Sequence, residues 1–220
     1  MSENIEVIYE DNHILVVNKP AGLLTQPGGT DQDSLEQRAK EWIKITRQKP
    51  GNVFLGAVHR LDKPVSGIVL LGCTSKALSR LSESIRNRKT RKTYLALVEG
   101  CPKEVEGELR DYMVHDEYRA RLVERGDPDA KSARLAYKVV ERRGDTSLIE
   151  IDLDTGRYHQ IRLQMSSIGC PVVGDVKYGS KTVLEGGERI ALHHFRFECP
   201  HPVTRETLVF EAPVPEGFFS

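Results

Sequence analysis

The stretch HRLDKPVSGIVLLG, residues 59–72, does most to set the architecture. Its second half, Val65–Gly72, is a continuous apolar run punctuated by glycine, the pattern of a central strand buried on both faces. Its first half is polar and broken at Pro64, so a loop precedes a rigid strand, and such loops are where catalytic groups tend to lie. Asp62 equally suits an Asx-type turn in which the carboxylate bonds nearby backbone N–H groups. The local pattern leaves both readings open.

Upstream, Ile14–Asn18 is a buried strand ended by the breaker Lys19-Pro20-Ala21-Gly22, and Ser34–Trp42 is a helix with Ser34 as its N-cap. Downstream, a helix beginning at Thr74 or Ser75 places Leu78, Leu81 and Ile85 at helical spacing. Tyr94–Val98 is a short strand. Ala133–Glu141 and Ser147–Leu153 form a hairpin closing through Arg143-Gly144-Asp145, its second arm burying Ile149, Ile151 and Leu153 and wetting Glu150 and Asp152. Ile161, Met165 and Ile168 mark a last helix that stops at Gly169, ahead of Pro171. Strands outnumber helices and neighbours are hairpin-linked. The expected fold is therefore α/β mixed (α+β): residues 1–220 form a single domain on a mostly antiparallel mixed sheet with flanking helices.

A chain of 220 residues buries roughly 70% of its unfolded surface, enough for a core without staples. Cys73, Cys101, Cys170 and Cys199 are dispersed, with no C-x-x-C pair, so buried thiols in a reducing compartment are expected. Met1–Glu10 lacks a signal-peptide pattern and the apolar runs are too short to span a bilayer. A soluble, cytoplasmic, monomeric protein without membrane contact is the expectation. Lys plus Arg number 32, as do Asp plus Glu, and zero net charge counts mildly against nucleic acid as a partner. The distribution alters that. Lys76, Arg80, Arg86, Arg88, Lys89, Arg91 and Lys92 face one acid, Glu83, whereas Glu99–Glu117 is predominantly acidic. This run suits either an RNA-steering surface or a solvated helix end whose cations complement the macrodipole.

A second polar cluster, Thr155-Gly156-Arg157-Tyr158-His159-Gln160-Ile161-Arg162, lies between a strand and a helix. Its arginines, histidine and glutamine suit a carboxylate or phosphate at a helix N-terminus, or simply a capped helix start. His193, His194, Cys199 and His201 are metal-ligand types, but their spacing follows no pair-and-pair pattern and no metal is expected. Gly28-Gly29 lacks the spacing of a phosphate-cradling loop.

Taken together, these motifs resemble the RluA-type RNA pseudouridine synthases. HRLDKPVSGIVLLG is similar to their signature loop, VIYEDNHILVVNKPAGLL (7–24) to their opening motif and KTYLALVEG (92–100) to their tyrosine motif. TGRYHQIRLQMSSIGCPVVGDVKYG (155–179) is similar to their third motif and ALHHFRFECPHP (191–202) to their closing strand. The resemblance covers roughly residues 5–213, and no separate N-terminal RNA-binding domain is expected. Val65, Gln164 and Cys170 depart from the family's usual threonine, histidine and histidine, at positions bearing on packing or RNA contact.

The resemblance implies isomerisation of a uridine flipped out of ribosomal or transfer RNA. Uracil leaves the ribose, turns and rejoins through C5, without nucleotide cofactor or metal. It implies that Asp62 is the catalytic carboxylate, as nucleophile or base, that Arg162 pairs with it, Arg157 being the second choice, and that Tyr94 stacks on the base or assists proton transfer. It implies that Arg60 fills the gap left by the base and His59 supports the loop. Arg86, Arg88, Lys89 and Lys92 would contact RNA. The competing expectation is a non-catalytic RNA-binding protein on the same fold.

Overall fold

The computed structural model describes residues 5–28 and 33–218; Met1–Asn4 of the N-terminal stretch and Gly29 of the diglycine lie outside them. The chain divides into two compact units, one reaching to Arg91 and including His194–Pro215, the other comprising Lys92–His193 and the residues from Glu216.

In the first unit β1 (Glu6–Glu10) pairs antiparallel with β2 (Ile14–Lys19), and β2 with β4 (Ser66–Gly72). A two-residue strand, β3 (Gly56–Ala57), also pairs with β4. All seven residues of β4 are buried, as its unbroken apolar run requires. Beside β4 lies the part of β10 (Leu192–Pro200) from His194 onward, which pairs antiparallel with β11 (Thr207–Glu211). Ile14, Val16, Ile68, Leu70, Leu81, Phe197 and Phe210 make the core here. Each such side chain contributes about 1.5–3 kcal/mol by burial.

Two helices flank these strands. α1 (Leu35–Thr46) starts at Ser34, whose hydroxyl accepts from Gln37 N, and buries Leu35, Ala39 and Ile43 at four-residue spacing. It runs four residues past the sequence-based end, because nothing after Trp42 breaks it. α2 (Ser75–Arg86) is capped by Thr74, which accepts from Ala77 N at 3.1 Å. An added Cβ on Gly72 would come within 2.9 Å of the Leu78 backbone, so the glycine lets α2 lie against the end of β4.

The second unit is an antiparallel sheet with strand order β5 (Arg91–Glu99), β9 (Thr146–Leu153), β8 (Lys131–Arg143), β6 (Glu106–Asp116) and β7 (Arg119–Val123). These four pairings are antiparallel. α3 (Gln160–Ser167) follows β9 and ends, as anticipated, ahead of Gly169, whose φ is 79°. A single 3-10 turn, Val176–Tyr178, comes next. The mostly antiparallel α/β architecture agrees with the sequence. Five strands, β1, β3, β6, β7 and β11, were not anticipated. Most residues of β6 are exposed or half-buried, so its sequence carries little of the apolar alternation that announces a strand.

Candidate active site

Asp62 lies in the loop ahead of β4, half-buried, and its carbonyl accepts from Val65 N at 3.0 Å to close the turn. The loop is clamped from three sides. Thr25 Oγ1 donates to Leu61 O at 2.9 Å and accepts from Leu61 N at 3.1 Å, a reciprocal pair that fixes the residue before Asp62. His59 Nε2 accepts from Leu70 N at 3.2 Å, and its ring stacks on Phe197 with centroids 5.3 Å apart. The third clamp is Lys19, fully buried at the end of β2. Its Nζ donates to the carbonyls of Leu23 (2.7 Å), Pro20 (2.8 Å) and Lys63 (3.2 Å), and Gly22 N also donates to Lys63 O. Burial pulls the Lys19 ammonium down to about 7, opposed by the negative charge of Asp62. Arg60 is exposed.

In the second unit Lys92, Tyr94, Ala96 and Val98 share one face of β5 by strand alternation, and all four are buried. Tyr94 is 6% exposed and paired in register with Ile151. Lys92, at 8% exposure, does not belong to an exposed basic run. Desolvation lowers its pKa, opposed by the charge of Asp154, and its Nζ lies 3.6 Å from where a Cβ on Gly156 would be. A Cβ at 156 would therefore make ordinary van der Waals contact with this lysine. The turn after β9 is held by a chain of buried polar side chains. Thr155 Oγ1 accepts from Arg134 N and donates to Gln160 Oε1, which also accepts from Arg157 N. Gln160 Nε2 donates to Gln164 Oε1, and Gln164 Nε2 donates to Asp111 at 2.6 Å. Arg157 is exposed, its Nε donating to Ser132 O.

Arg162, on the first turn of α3, is buried and side-on to Asp175, with Nε 2.6 Å from Oδ2 and Nη2 2.9 Å from Oδ1. The guanidinium carbon lies 5.1 Å from the centroid of the Tyr178 ring. Arg86, Arg88 and Lys89, at the end of α2 and just beyond it, are exposed.

With this geometry in hand, comparison with known proteins is decisive. Residues 13–167 match the family described as RNA pseudouridylate synthase. The chain belongs to this family. It is 36% identical to the dual-specificity RNA pseudouridine synthase RluA of Pasteurella multocida, over 95% of this chain and 93% of that protein. It is 35% and 32% identical to the ribosomal large subunit pseudouridine synthases D of Xanthomonas campestris and Nitrosomonas europaea, over 96% of this chain in each case. The chain spans 66% and 62% of the lengths of those two proteins. Among solved structures, human RNA Pseudouridylate Synthase Domain Containing 4 superposes with a TM-score of 0.82 at 22% identity, covering 97% of this chain and 90% of that one. At that identity the likeness speaks for the fold.

Val65, Gln164 and Cys170, where the sequence departs from the motifs it resembles, are all buried, Gln164 within the hydrogen-bonded chain of the turn. The C-terminal histidines have separate tasks. His201 Nε2 bonds Asp11 at 2.9 Å, His194 Nδ1 donates to Ile68 O at 2.8 Å, and burial pushes the Cys199 thiol up to about 12. Sequence reasoning assigned no role to Asp175 or Tyr178, took Lys19 only as part of a chain breaker and placed Gln160 in the polar cluster at a helix start. All four lie inside the quoted motifs, so the signal available was position within them.

Proposed function

We propose that this protein is an RNA pseudouridine synthase, acting on uridines of ribosomal or transfer RNA in the cytoplasm and working as a monomer. The observation that carries this reading is the match over 93% of the length of a dual-specificity RNA pseudouridine synthase. Asp62 supplies the carboxylate for glycosidic cleavage, on a loop whose neighbours are tied down by Thr25, His59 and Lys19. A carboxylate that must keep its charge beside a desolvated base needs fixed positive charge, and a guanidinium supplies it at any working pH. Arg162 takes that role, with Tyr94 as the aromatic partner of the flipped base. Exposed Arg60 fills the vacated stack, and exposed Arg86, Arg88, Lys89 and Arg157 contact phosphates. The isomerisation loses no group and changes no oxidation state, so it calls for neither nucleotide cofactor nor Lewis acid.

The test is Asp62→Asn, which keeps the shape of the side chain and removes its charge. Pseudouridine formation, followed by tritium release from uridine labelled at C5, is expected to stop, while RNA affinity and thermal unfolding match wild type. Turnover within a few-fold of wild type, on the order of 1 kcal/mol in barrier, would sink the assignment. Pseudouridine mapping of total RNA with and without the gene then names the substrate site.

A further inference from the structure

The amino end of α1 is closed by the segment that follows β2. The first N–H groups of a helix find no acceptor within the helix itself. Here Leu35 N donates to Leu24 O at 2.8 Å and Glu36 N to Thr25 O at 3.1 Å, while Gln37 N donates to the Ser34 hydroxyl. The backbone of Leu24 and Thr25 is thereby built onto a helix that is itself held through Leu35, Ala39 and Ile43, none more than 1% exposed. The Glu36 carboxylate adds a second tie, accepting from Gln26 Nε2 at 2.9 Å and from the backbone N–H of Ala57, which enters the loop of His59 and Asp62.

The Thr25 side chain carries the connection onward. A hydroxyl has one proton to donate and lone pairs with which to accept, and Thr25 uses both functions on a single residue, Leu61. Thr25 is 3% exposed and Leu61 8%, so these bonds are made out of water, where losing a partner is costly. The Leu61 carbonyl shares a rigid peptide plane with the nitrogen of Asp62, so holding its oxygen sets where the Asp62 backbone begins. On the other side Asp62 O accepts from Val65 N at 3.0 Å. Every residue in this chain of contacts belongs to the first compact unit.

We infer that Thr25 is a positioning residue for Asp62, its hydroxyl registering the peptide ahead of the carboxylate on the amino end of α1. The consequence for turnover rests on the reading of Asp62 as the catalytic carboxylate; the register itself does not. A reacting group misplaced by about 1 Å loses on the order of 100-fold in rate. Lys19 and His59 still hold the loop when the hydroxyl is removed, so a somewhat smaller loss is expected.

The experiment compares wild type with Thr25→Val, which keeps the shape and loses the hydroxyl, and Thr25→Ser, which keeps the hydroxyl and loses the methyl group. One readout is tritium release from C5-labelled uridine in total RNA of cells lacking the gene; the other is amide hydrogen exchange at Leu61 N–H, followed by NMR. In Thr25→Val the Leu61 N–H is expected to lose protection, and kcat to fall about 30-fold with KM changed less than about three-fold. Thr25→Ser should recover most of both. If Thr25→Val does not fold, Thr25→Ala removes the same hydroxyl without crowding and is judged by the same readouts. A folded variant without the hydroxyl that keeps wild-type kcat or Leu61 protection, or that changes KM alone, overturns the inference. So does a Thr25→Ser protein as impaired as Thr25→Val, because packing of the methyl group would then be the cause. An Asp62→Asn protein that still turns over refutes the catalytic reading of Asp62 instead, and the Leu61 N–H response then decides whether the register on α1 exists.

Discussion

Replacing Lys19 by methionine removes a buried charge while nearly preserving the shape of the side chain, and the consequence is a change in how stability depends on pH. The ammonium titrates near 10.5 in an unfolded chain and at about 7 in the folded one. Between those values the unfolded state binds more protons, so wild-type stability must rise with pH across that window. At about 1.4 kcal/mol per unit, the charge costs the fold about 4 to 5 kcal/mol at and below neutrality, and nothing above about pH 10.5. The three carbonyl oxygens on Nζ favour the charged form, so this is an upper bound. From pH 7 to 9 the contribution amounts to about 2 kcal/mol. The assay is urea unfolding of wild type and Lys19→Met at both pH values. Other titrating groups are common to the two proteins and cancel, so wild type should gain about 2 kcal/mol more than the variant. At pH 7 the variant also orphans the carbonyls of Pro20 and Leu23, at about 1–3 kcal/mol each, which offsets the relief of the buried charge. Parallel stability–pH curves would refute the reasoning, because they would mean that Lys19 keeps an ordinary lysine pKa in the fold.

Two further predictions follow from named contacts. Gly67 has φ 114°, and an added Cβ would lie 2.5 Å from His194 N and 2.8 Å from its carbonyl carbon; Gly67→Ala should therefore cost about 3 kcal/mol or more by denaturant unfolding, and a loss below about 1 kcal/mol contradicts the close approach. Replacing Arg86, Arg88 and Lys89 together by alanine should leave unfolding nearly unchanged and flatten the salt dependence of RNA binding by about one log–log unit per lost phosphate contact; coincident slopes would make this stretch a solvated helix end.

The elements legible in the sequence are those whose burial pattern is local. The apolar run of β4, the capped starts of α1 and α2 and the alternation of β9 each state their environment within a few residues. β6 does not, since of its eleven residues only Met113 and Val114 are buried. Lys92 was grouped with exposed cations by charge. Period-two alternation with Tyr94, Ala96 and Val98 would have put it on their buried face. Lys19 was taken as part of a chain breaker, because a fully buried lysine is rare and nothing local signals that the Lys63 carbonyl, 44 residues on, converges on it. For Asp175 the partner lies 13 residues back, across a loop that no periodicity spans.

Two of the buried cations of these motifs, Arg162 and Lys19, illustrate different physical solutions. Arg162 is neutralised by a carboxylate, so its charge is pinned across all working pH and its orientation is set by a bidentate bond. Lys19 is met by three neutral carbonyls, which orient the amine without compensating its charge, so it titrates near neutrality while still bridging the same backbone. A residue whose task is to offer charge requires the first arrangement, because any titration would remove what it supplies. A residue whose task is to hold a loop tolerates the second, because a neutral amine still donates two hydrogen bonds. The contrast accords with the electrostatic role proposed for Arg162 and with a holding role for Lys19 beside the loop of Asp62.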